Sequence, residues 1–182
     1  MQVWIIMQVM LIFTGLVFAS TVLASDQKLK NLKRFQALKT EKITQSKVYT
    51  HPVSGYKVVV PPGTQLSERD NENPQISIQS RKGYRVSIQS APTRPEVPLK
   101  DMALILEAKY LGKGKPWKQK ENQIIKQISG LLAIETSYRG SNMRSRVDII
   151  RGSKTDHVFI FFAAEREYQN LEHEYVWILD NF

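Results

Sequence analysis

The sequence predicts an α+β fold in which an antiparallel β-sheet is flanked by helices. Residues 75–80 and 84–90 alternate apolar and polar side chains around a three-residue connection that contains glycine, a pattern typical of a β-hairpin. Further strand patterns, separated by turn residues, follow between residues 123 and 164. Residues 165–182 then carry one apolar stripe at helical spacing. Strands and helices grouped in this way are typical of an α+β domain.

The predicted domain covers residues 48–182 and begins with two short strands, at Tyr49 and at residues 56–60. The second strand ends at Pro61, because proline cannot donate a hydrogen bond to a neighbouring strand. Residues 67–74 are polar and rich in turn formers, so we expect a loop there.

The second half of the domain places one helix before a run of strands. Residues 98–111 have apolar side chains at helical spacing, and Gly112 ends this pattern. The stretch 158–162 is apolar on both faces, which predicts a central strand covered on both sides. We predict strands at residues 123–128, 131–138, 143–151 and 155–164. The closing helix has its apolar stripe at Tyr168, Leu171, Tyr175, Ile178 and Phe182.

The composition excludes several classes of protein. The chain has 182 residues, a formal net charge of +9 and no cysteine. Disulfide-stapled domains, cysteine-ligated zinc modules, iron–sulfur proteins and thiol enzymes are therefore excluded. A domain of this length can hold its core by packing alone.

Residues 1–24 form an uncharged apolar run that ends in small residues. The run fits a secretory signal peptide that is cleaved after Ala24. An uncleaved membrane anchor is the alternative, because about 18 apolar residues are enough to span a bilayer. The basic residues that follow the run oppose export by the positive-inside rule. The leader predicts a periplasmic or secreted location, which is lumenal in a photosynthetic organism.

Residues 25–47 form a basic segment with seven Lys or Arg against two acidic residues. Leu29, Leu32, Phe35 and Leu38 recur at every third residue, which gives no narrow helical stripe. We therefore expect a helical or flexible arm. This arm is either an electrostatic contact for anionic lipid or an acidic partner, or a solvated spacer.

No sequence motif identifies a catalytic, metal or cofactor site. His51, His157 and His173 share no ligand spacing and are expected at the surface or at caps. The Glu residues of the last helix fit a solvated face better than an acid–base pair. Nucleophile-elbow, Walker and dinucleotide motifs are absent from the sequence. We expect a non-enzymatic protein without a cofactor. A hydrolase is the alternative, because the residues of a catalytic triad come together in space and need not form a sequence motif.

Basic side chains, with one tryptophan, are the remaining candidates for function. The candidate binding residues are Arg81, Lys82, Arg85, Lys113, Lys115, Trp117, Arg139, Arg144 and Arg146. The cations offer attraction to an anionic partner, a membrane face or a glycan, and an exposed Trp117 offers contact specificity. A solvated surface is the alternative. Nucleic acid is not expected, because the leader directs export and no aromatic ladder accompanies these charges.

Three strings, read in order, resemble the PsbP/DcrB-like superfamily of α/β/α-sandwich domains. The first is SGYKVVVPPG at residues 54–63, which is similar to the family's entry of a strand followed by Pro-x-Gly. The second is ISGLLA at residues 128–133, before a strand that ends in tyrosine. The third is YVWILDNF at residues 175–182, where Asn181 stands in place of the family's usual serine. The resemblance covers residues 48–182.

The resemblance implies a non-catalytic binding module. Members of this superfamily are extrinsic assembly factors of photosystem II, periplasmic proteins or lipoproteins, and a nuclear Ran-binding protein. The chain departs from the lipid-anchored members, because it has no cysteine. We therefore expect an exported accessory domain that docks on a membrane-associated protein complex or on an anionic membrane surface. The alternatives are a small periplasmic hydrolase acting on an envelope polymer and a membrane-anchored structural protein.

Overall fold

The structure is a computed structural model and describes residues 38–69 and 75–182. The predicted leader at residues 1–24, and the predicted arm as far as residue 37, lie outside the described residues. The strands are β1 (Leu38–Ile43), β2 (Lys47–Thr50), β3 (Lys57–Val60), β4 (Thr64–Arg69), β5 (Gln75–Ser80), β6 (Tyr84–Pro92), β7 (Gln119–Ile128), β8 (Leu131–Arg139), β9 (Met143–Arg151) and β10 (Thr155–Ala164). The helices are α1 (Leu99–Tyr110) and α2 (Tyr168–Asp180), and a 3₁₀ turn at Glu165–Glu167 precedes α2.

Eight strands form one sheet in the order β1-β4-β5-β6-β10-β9-β8-β7. Neighbouring strands from β4 to β7 in this order are antiparallel. The last strand in the chain, β10, therefore lies inside the sheet, where Phe159 is opposite Ile88 on β6 and Asp148 on β9. This confirms the prediction of a central strand at residues 158–162.

The two helices lie on opposite faces of the sheet. The stripe of α2 packs with Phe159 and Phe161 into one core, and the rings of Phe161 and Tyr175 stack with centroids 4.9 Å apart. On the other face, Leu99 and Ala103 of α1 pack with Ile160 into a second core. The hairpin of β2 and β3 adds apolar side chains to the α2 core. The predicted α+β sandwich is confirmed.

Two segments form strands that the sequence pattern did not predict. Residues 38–43 were assigned to a helical or flexible arm, but they form β1, so the sheet begins before the predicted domain start at Val48. The predicted loop at 67–74 is wrong for its first residues, because β4 extends from Thr64 to Arg69 and pairs with β5. In both segments, pairing with a neighbouring strand determines the secondary structure, although the local composition is polar. Neither described helix is long and apolar enough to cross a membrane.

Candidate binding face

Arg146, a predicted binding residue, is part of a buried ion network beneath α2. The residue is 7 % exposed, and its Nε donates a hydrogen bond of 3.0 Å to Oδ2 of the fully buried Asp148. Its other guanidinium nitrogens lie 2.9 Å from Glu135 and 3.2 Å from Glu172. The Tyr175 hydroxyl donates to Asp148 Oδ2 at 2.7 Å. Arg146 is therefore a core cation whose charge is used inside the domain.

The charges of this network stabilise each other. Burial is the largest single influence and lowers the pKa of the Arg146 guanidinium, but the charges of Asp148, Tyr175 and Glu135 and the hydrogen bond to Asp148 together outweigh burial, and the pKa is raised overall. Burial and the Asp148 carboxylate together raise the pKa of the Tyr175 hydroxyl well above its ordinary value. Arg146 thus stays charged and Tyr175 stays a neutral donor. A buried carboxylate needs such partners, because an unpaired buried charge is strongly unfavourable.

Arg139 and Arg144 are also paired within the domain. Both contact Glu121 on β7, at 2.9 Å and 2.5 Å respectively, and Arg139 lies 3.5 Å from Glu165. The Arg144 guanidinium lies over the Tyr168 ring, 4.8 Å from its centroid. Arg144 and Arg146 share one face of β9, because they are two residues apart on a strand, and this is the face that α2 covers. These cations join strands and helix to each other.

Trp117 was expected to be exposed, and the structure shows that it is buried. Its side chain is 1 % exposed, and its ring stacks on Tyr138 with centroids 4.1 Å apart. The segment after α1 turns back because Gly112 and Gly114 adopt positive φ. The backbone N–H of Trp117 then donates to the Tyr110 carbonyl at 3.0 Å, which holds this residue beneath the end of α1.

The two lysines of the same turn differ in their contacts. Lys115 Nζ donates to the Ala108 carbonyl in the last turn of α1, where a cation complements the helix dipole. Lys113 is exposed at the turn and has no ionic partner among residues 38–69 and 75–182. Only Lys113 of this pair is free to meet a partner.

The tip of the β5–β6 hairpin keeps its charge available to solvent. Arg81 is exposed and has no acidic partner in the described part of the chain. Lys82 forms a surface ion pair with Glu174 of α2. Lys42 of β1 lies beside this tip and lines, with Arg81, a cleft of 220 Å³. We call Lys42, Arg81 and Lys82 the basic end.

One face of the sheet is only partly covered. Helix α1 packs on β8 and β9, and beside it β5, β6 and β10 present polar side chains and Phe162 to two adjoining cavities. The cavities have volumes of 230 Å³ and 460 Å³ and share Arg85 and Phe162 in their walls. We call them together the polar groove. Of the residues that line the polar groove, only Arg85 and Trp117 were predicted from the sequence as candidate binding residues. The Gln and Ser residues that alternate along β5 and β6 could have indicated that a polar face is present there.

A similar arrangement of strands and helices occurs in a solved structure. The solution structure of cyanobacterial PsbP (CyanoP) from Synechocystis sp. PCC 6803 matches with a TM-score of 0.56 and 13 % sequence identity. The match covers 76 % of this chain and 92 % of that one. The fold is PsbP-like. The resemblance predicted from the three sequence strings is confirmed at the level of the fold.

A second solved structure shows a weaker similarity to this PsbP-like domain. It is PA94 from Pseudomonas aeruginosa, a protein of unknown function described as a putative regulator, with a TM-score of 0.48 and 12 % identity. That match covers 76 % of this chain and 96 % of PA94. No protein-family model and no curated protein matches the sequence.

Two histidines of the PsbP-like domain are buried, which corrects their expected surface positions. The rings of His51 and His157 both pack against Tyr56, with centroids 4.9 Å and 5.2 Å from that of the tyrosine. Ser90 Oγ lies 3.0 Å from His157 Nδ1, but both side chains are buried and the His157 ring packs on Phe182 at 5.0 Å. A nucleophilic serine must be reachable by substrate, so this contact is a structural one.

The His157 site predicts a dependence of stability on pH. Burial lowers the pKa of the His157 imidazole to about 4; Asp156 opposes this shift and His51 adds to it. The folded pKa lies below the unfolded value, so the neutral imidazole contributes stability above pH ~6.5 that is lost as the pH falls towards 4. We expect a loss of about 3 kcal/mol in the free energy of unfolding over this interval.

Urea titrations from pH 7 to pH 4 measure this loss. His157→Gln should flatten the profile relative to the unsubstituted chain, because the variant has no imidazole to protonate. His173 is exposed on α2, so His173→Gln is the matched control and should keep the full slope. An unchanged slope in His157→Gln would assign the acid sensitivity to other groups.

Proposed function

We propose that this chain is an exported, non-catalytic accessory domain that docks on an acidic protein surface of a membrane-associated complex. The basic end carries this proposal. Of the nine residues that the sequence singled out, the arginines of β8 and β9 and Trp117 are used inside the domain, whereas Arg81 and Lys82 remain at an exposed tip. Exposed cations that lie together attract a partner of opposite charge over long range and orient its approach.

The predicted leader supports export, and the absence of a catalytic motif from the sequence supports a binding role. The described residues include no group of three or more metal-ligating side chains. The PsbP-like fold is compatible with an accessory role, but function does not transfer with a fold. The proposal therefore depends on the charges of this chain.

Charge reversal at the hairpin tip tests the proposal. The chain and its Arg81→Glu/Lys82→Glu variant are immobilised, and retention of solubilised membrane proteins is measured at low and at raised salt. We expect the variant to bind about tenfold less at low salt, and binding by the unsubstituted chain to weaken as salt rises. Lys100→Glu/Lys154→Glu reverses two exposed lysines elsewhere and should bind normally.

Vesicles containing anionic lipid separate a protein partner from a membrane surface. Salt-sensitive binding to such vesicles alone, equal to that of the membrane fraction, would assign the basic end to lipid headgroups. Binding that is insensitive to both salt and charge reversal would overturn the proposal.

A further inference from the structure

Strand β7 forms one edge of the eight-stranded sheet. It comes last in the order of strands, so among the described residues it pairs with β8 alone. In an antiparallel sheet, alternate residues of an edge strand direct their backbone N–H and C=O groups away from the neighbouring strand. The ten residues of β7 extend over about 33 Å, so this edge presents a long row of backbone groups with which a further strand can pair.

Two adjacent isoleucines are exposed at the centre of this edge. Ile124 is 44 % exposed and Ile125 is 61 % exposed. Because successive side chains of a strand alternate, the two isoleucines lie on opposite faces of the sheet. Leu132 of β8 is also exposed, and since it is opposite Gln127 it shares the face of Ile125. The centre of the edge is therefore apolar on both faces.

The charged residues of β7 are all paired within the domain. Lys120 Nζ lies 2.8 Å from a carboxylate oxygen of Glu107 on α1, and Lys126 Nζ lies 2.6 Å from one of Glu135 on β8. Glu121 is paired with arginines of β8 and β9, as described above. Charges and prolines ordinarily keep an edge strand from pairing with other chains. Since β7 has no proline and its charges are neutralised, the centre of this edge has neither protection.

The opposite edge of the sheet, β1, has a different composition. It has only six residues, and three of them, Lys39, Glu41 and Lys42, are charged. Glu41 forms an exposed ion pair with Lys47 at 2.7 Å, and Lys42 belongs to the basic end. A short, charged edge resists pairing with another strand. The two edges therefore differ in the way expected if β7 alone has a partner strand.

The partner that fits this edge is a β-strand, because the groups it presents are backbone donors and acceptors. A second copy of β7 can pair in the antiparallel direction about a two-fold axis at Ile124, which sets isoleucine opposite isoleucine. No pair in this register brings two charges together; the pairs are Ile124–Ile124, Gln123–Ile125, Asn122–Lys126 and Glu121–Gln127. A two-fold axis uses the β7 edge of both copies, so the assembly stops at two.

The neighbouring registers are less favourable for self-pairing. An axis at Ile125 sets each Ile124 opposite Lys126, and an axis at Gln123 sets each Ile125 opposite Glu121. Apolar side chains that lie opposite each other stabilise a strand pair, and this contact is lost when one of them faces a charged residue. The strand is thus complementary to itself in one register, which favours a second copy as its partner.

We propose that two copies of this chain associate through β7, which joins their sheets into one antiparallel sheet across a two-fold axis at Ile124. The axis is perpendicular to the sheet, so α2 of both copies lies on the same side. The basic end lies towards the β1 edge, and the dimer therefore carries one basic end on each side of the junction. No residue of the basic end takes part in this pairing, so it goes beyond the docking role and can fail or succeed independently of it.

Sedimentation velocity of the full chain over a range of concentrations tests the proposal. We expect a dimer at chain concentrations of about 100 μM. Ile124→Lys/Ile125→Lys brings like charges together at the axis and should weaken the association about tenfold or more. Both side chains are exposed, so the circular dichroism spectrum should be unchanged. Val53→Lys/Ile105→Lys adds the same charges at exposed positions outside β7 and β8, and should associate like the unsubstituted chain.

Disulfide cross-linking locates the junction, because the chain has no cysteine of its own. Residues directly opposite in an antiparallel pair have Cβ atoms about 4.5–5.5 Å apart, close to the separation that a disulfide bridges. Mild oxidation should therefore link two copies of Ile124→Cys. Ile105→Cys, exposed on α1, is the control and should stay unlinked. A chain that is monomeric at all concentrations, association that persists in Ile124→Lys/Ile125→Lys, or equal cross-linking of the two cysteine variants would each overturn the proposal.

Discussion

Arg146→Ala is expected to lower the free energy of unfolding by about 3–5 kcal/mol, the range observed when one partner of a buried ion pair is removed. The substitution leaves the Asp148 carboxylate buried, with Lys126 Nζ at 3.1 Å as its remaining cation. Glu135 and Glu172 lose their contacts with the same guanidinium. Urea unfolding monitored by circular dichroism measures the change as a shift of the midpoint at constant slope.

Arg139→Ala is the matched control for this prediction. Arg139 contacts Glu121 and Glu165, but its side chain is about half exposed, so we expect a change within about 0.5 kcal/mol. Arg146→Lys keeps the positive charge but loses the planar guanidinium. Its loss in the free energy of unfolding should therefore lie between the losses of Arg139→Ala and Arg146→Ala. A loss below about 1 kcal/mol in Arg146→Ala would show that the network does not hold α2 on the sheet.

Trp117→Ala is expected to destabilise the domain by about 3–5 kcal/mol, as is usual for truncation of a large buried aromatic side chain. The substitution removes the ring that stacks on Tyr138 and packs at 5.2 Å from Tyr110, and so opens a cavity between α1 and β8. The measurement is again the free energy of unfolding from urea titration.

Trp177 offers a matched control of the same residue type. It lies on α2 and is 40 % exposed, so Trp177→Ala should cost no more than about 1 kcal/mol. If Trp117→Ala kept full stability, the ring would not be part of the α1 core. The sequence-based expectation that Trp117 contacts a partner would then explain this residue better than a role in the core.

Elements with a strong local period were predictable from the sequence. The stripe of α2 and the alternation of β5 and β6 each follow from the geometry of a single element, and both are confirmed. Strands β1 and β4 could not be recognised in the same way. Their polar residues form strands because β1 and β4 each pair with a neighbouring strand in the sheet. The local sequence pattern does not indicate which strands will pair.

The candidate site was harder to predict than the fold. A cation is free or paired according to what the topology brings near it, and the partners are far apart in the chain. Arg144 on β9 meets Glu121 on β7, two strands away, and Lys82 meets Glu174 on the terminal helix. Trp117 was expected at the surface, but it is buried, because Gly112 and Gly114 turn the segment under α1.

The central position of β10 has a consequence for folding. Strands β4 to β6 form one meander and β7 to β10 form another, and each can form largely from contacts between consecutive strands. Among the described strands, the sheet connects the two meanders where β10 pairs with β6, a contact between residues more than sixty positions apart, such as Thr155 and Pro92. Pairings over such separations form slowly. Until β10 pairs with β6, each of these two strands is an unpaired edge of its meander. Strands from different chains can associate at such an edge.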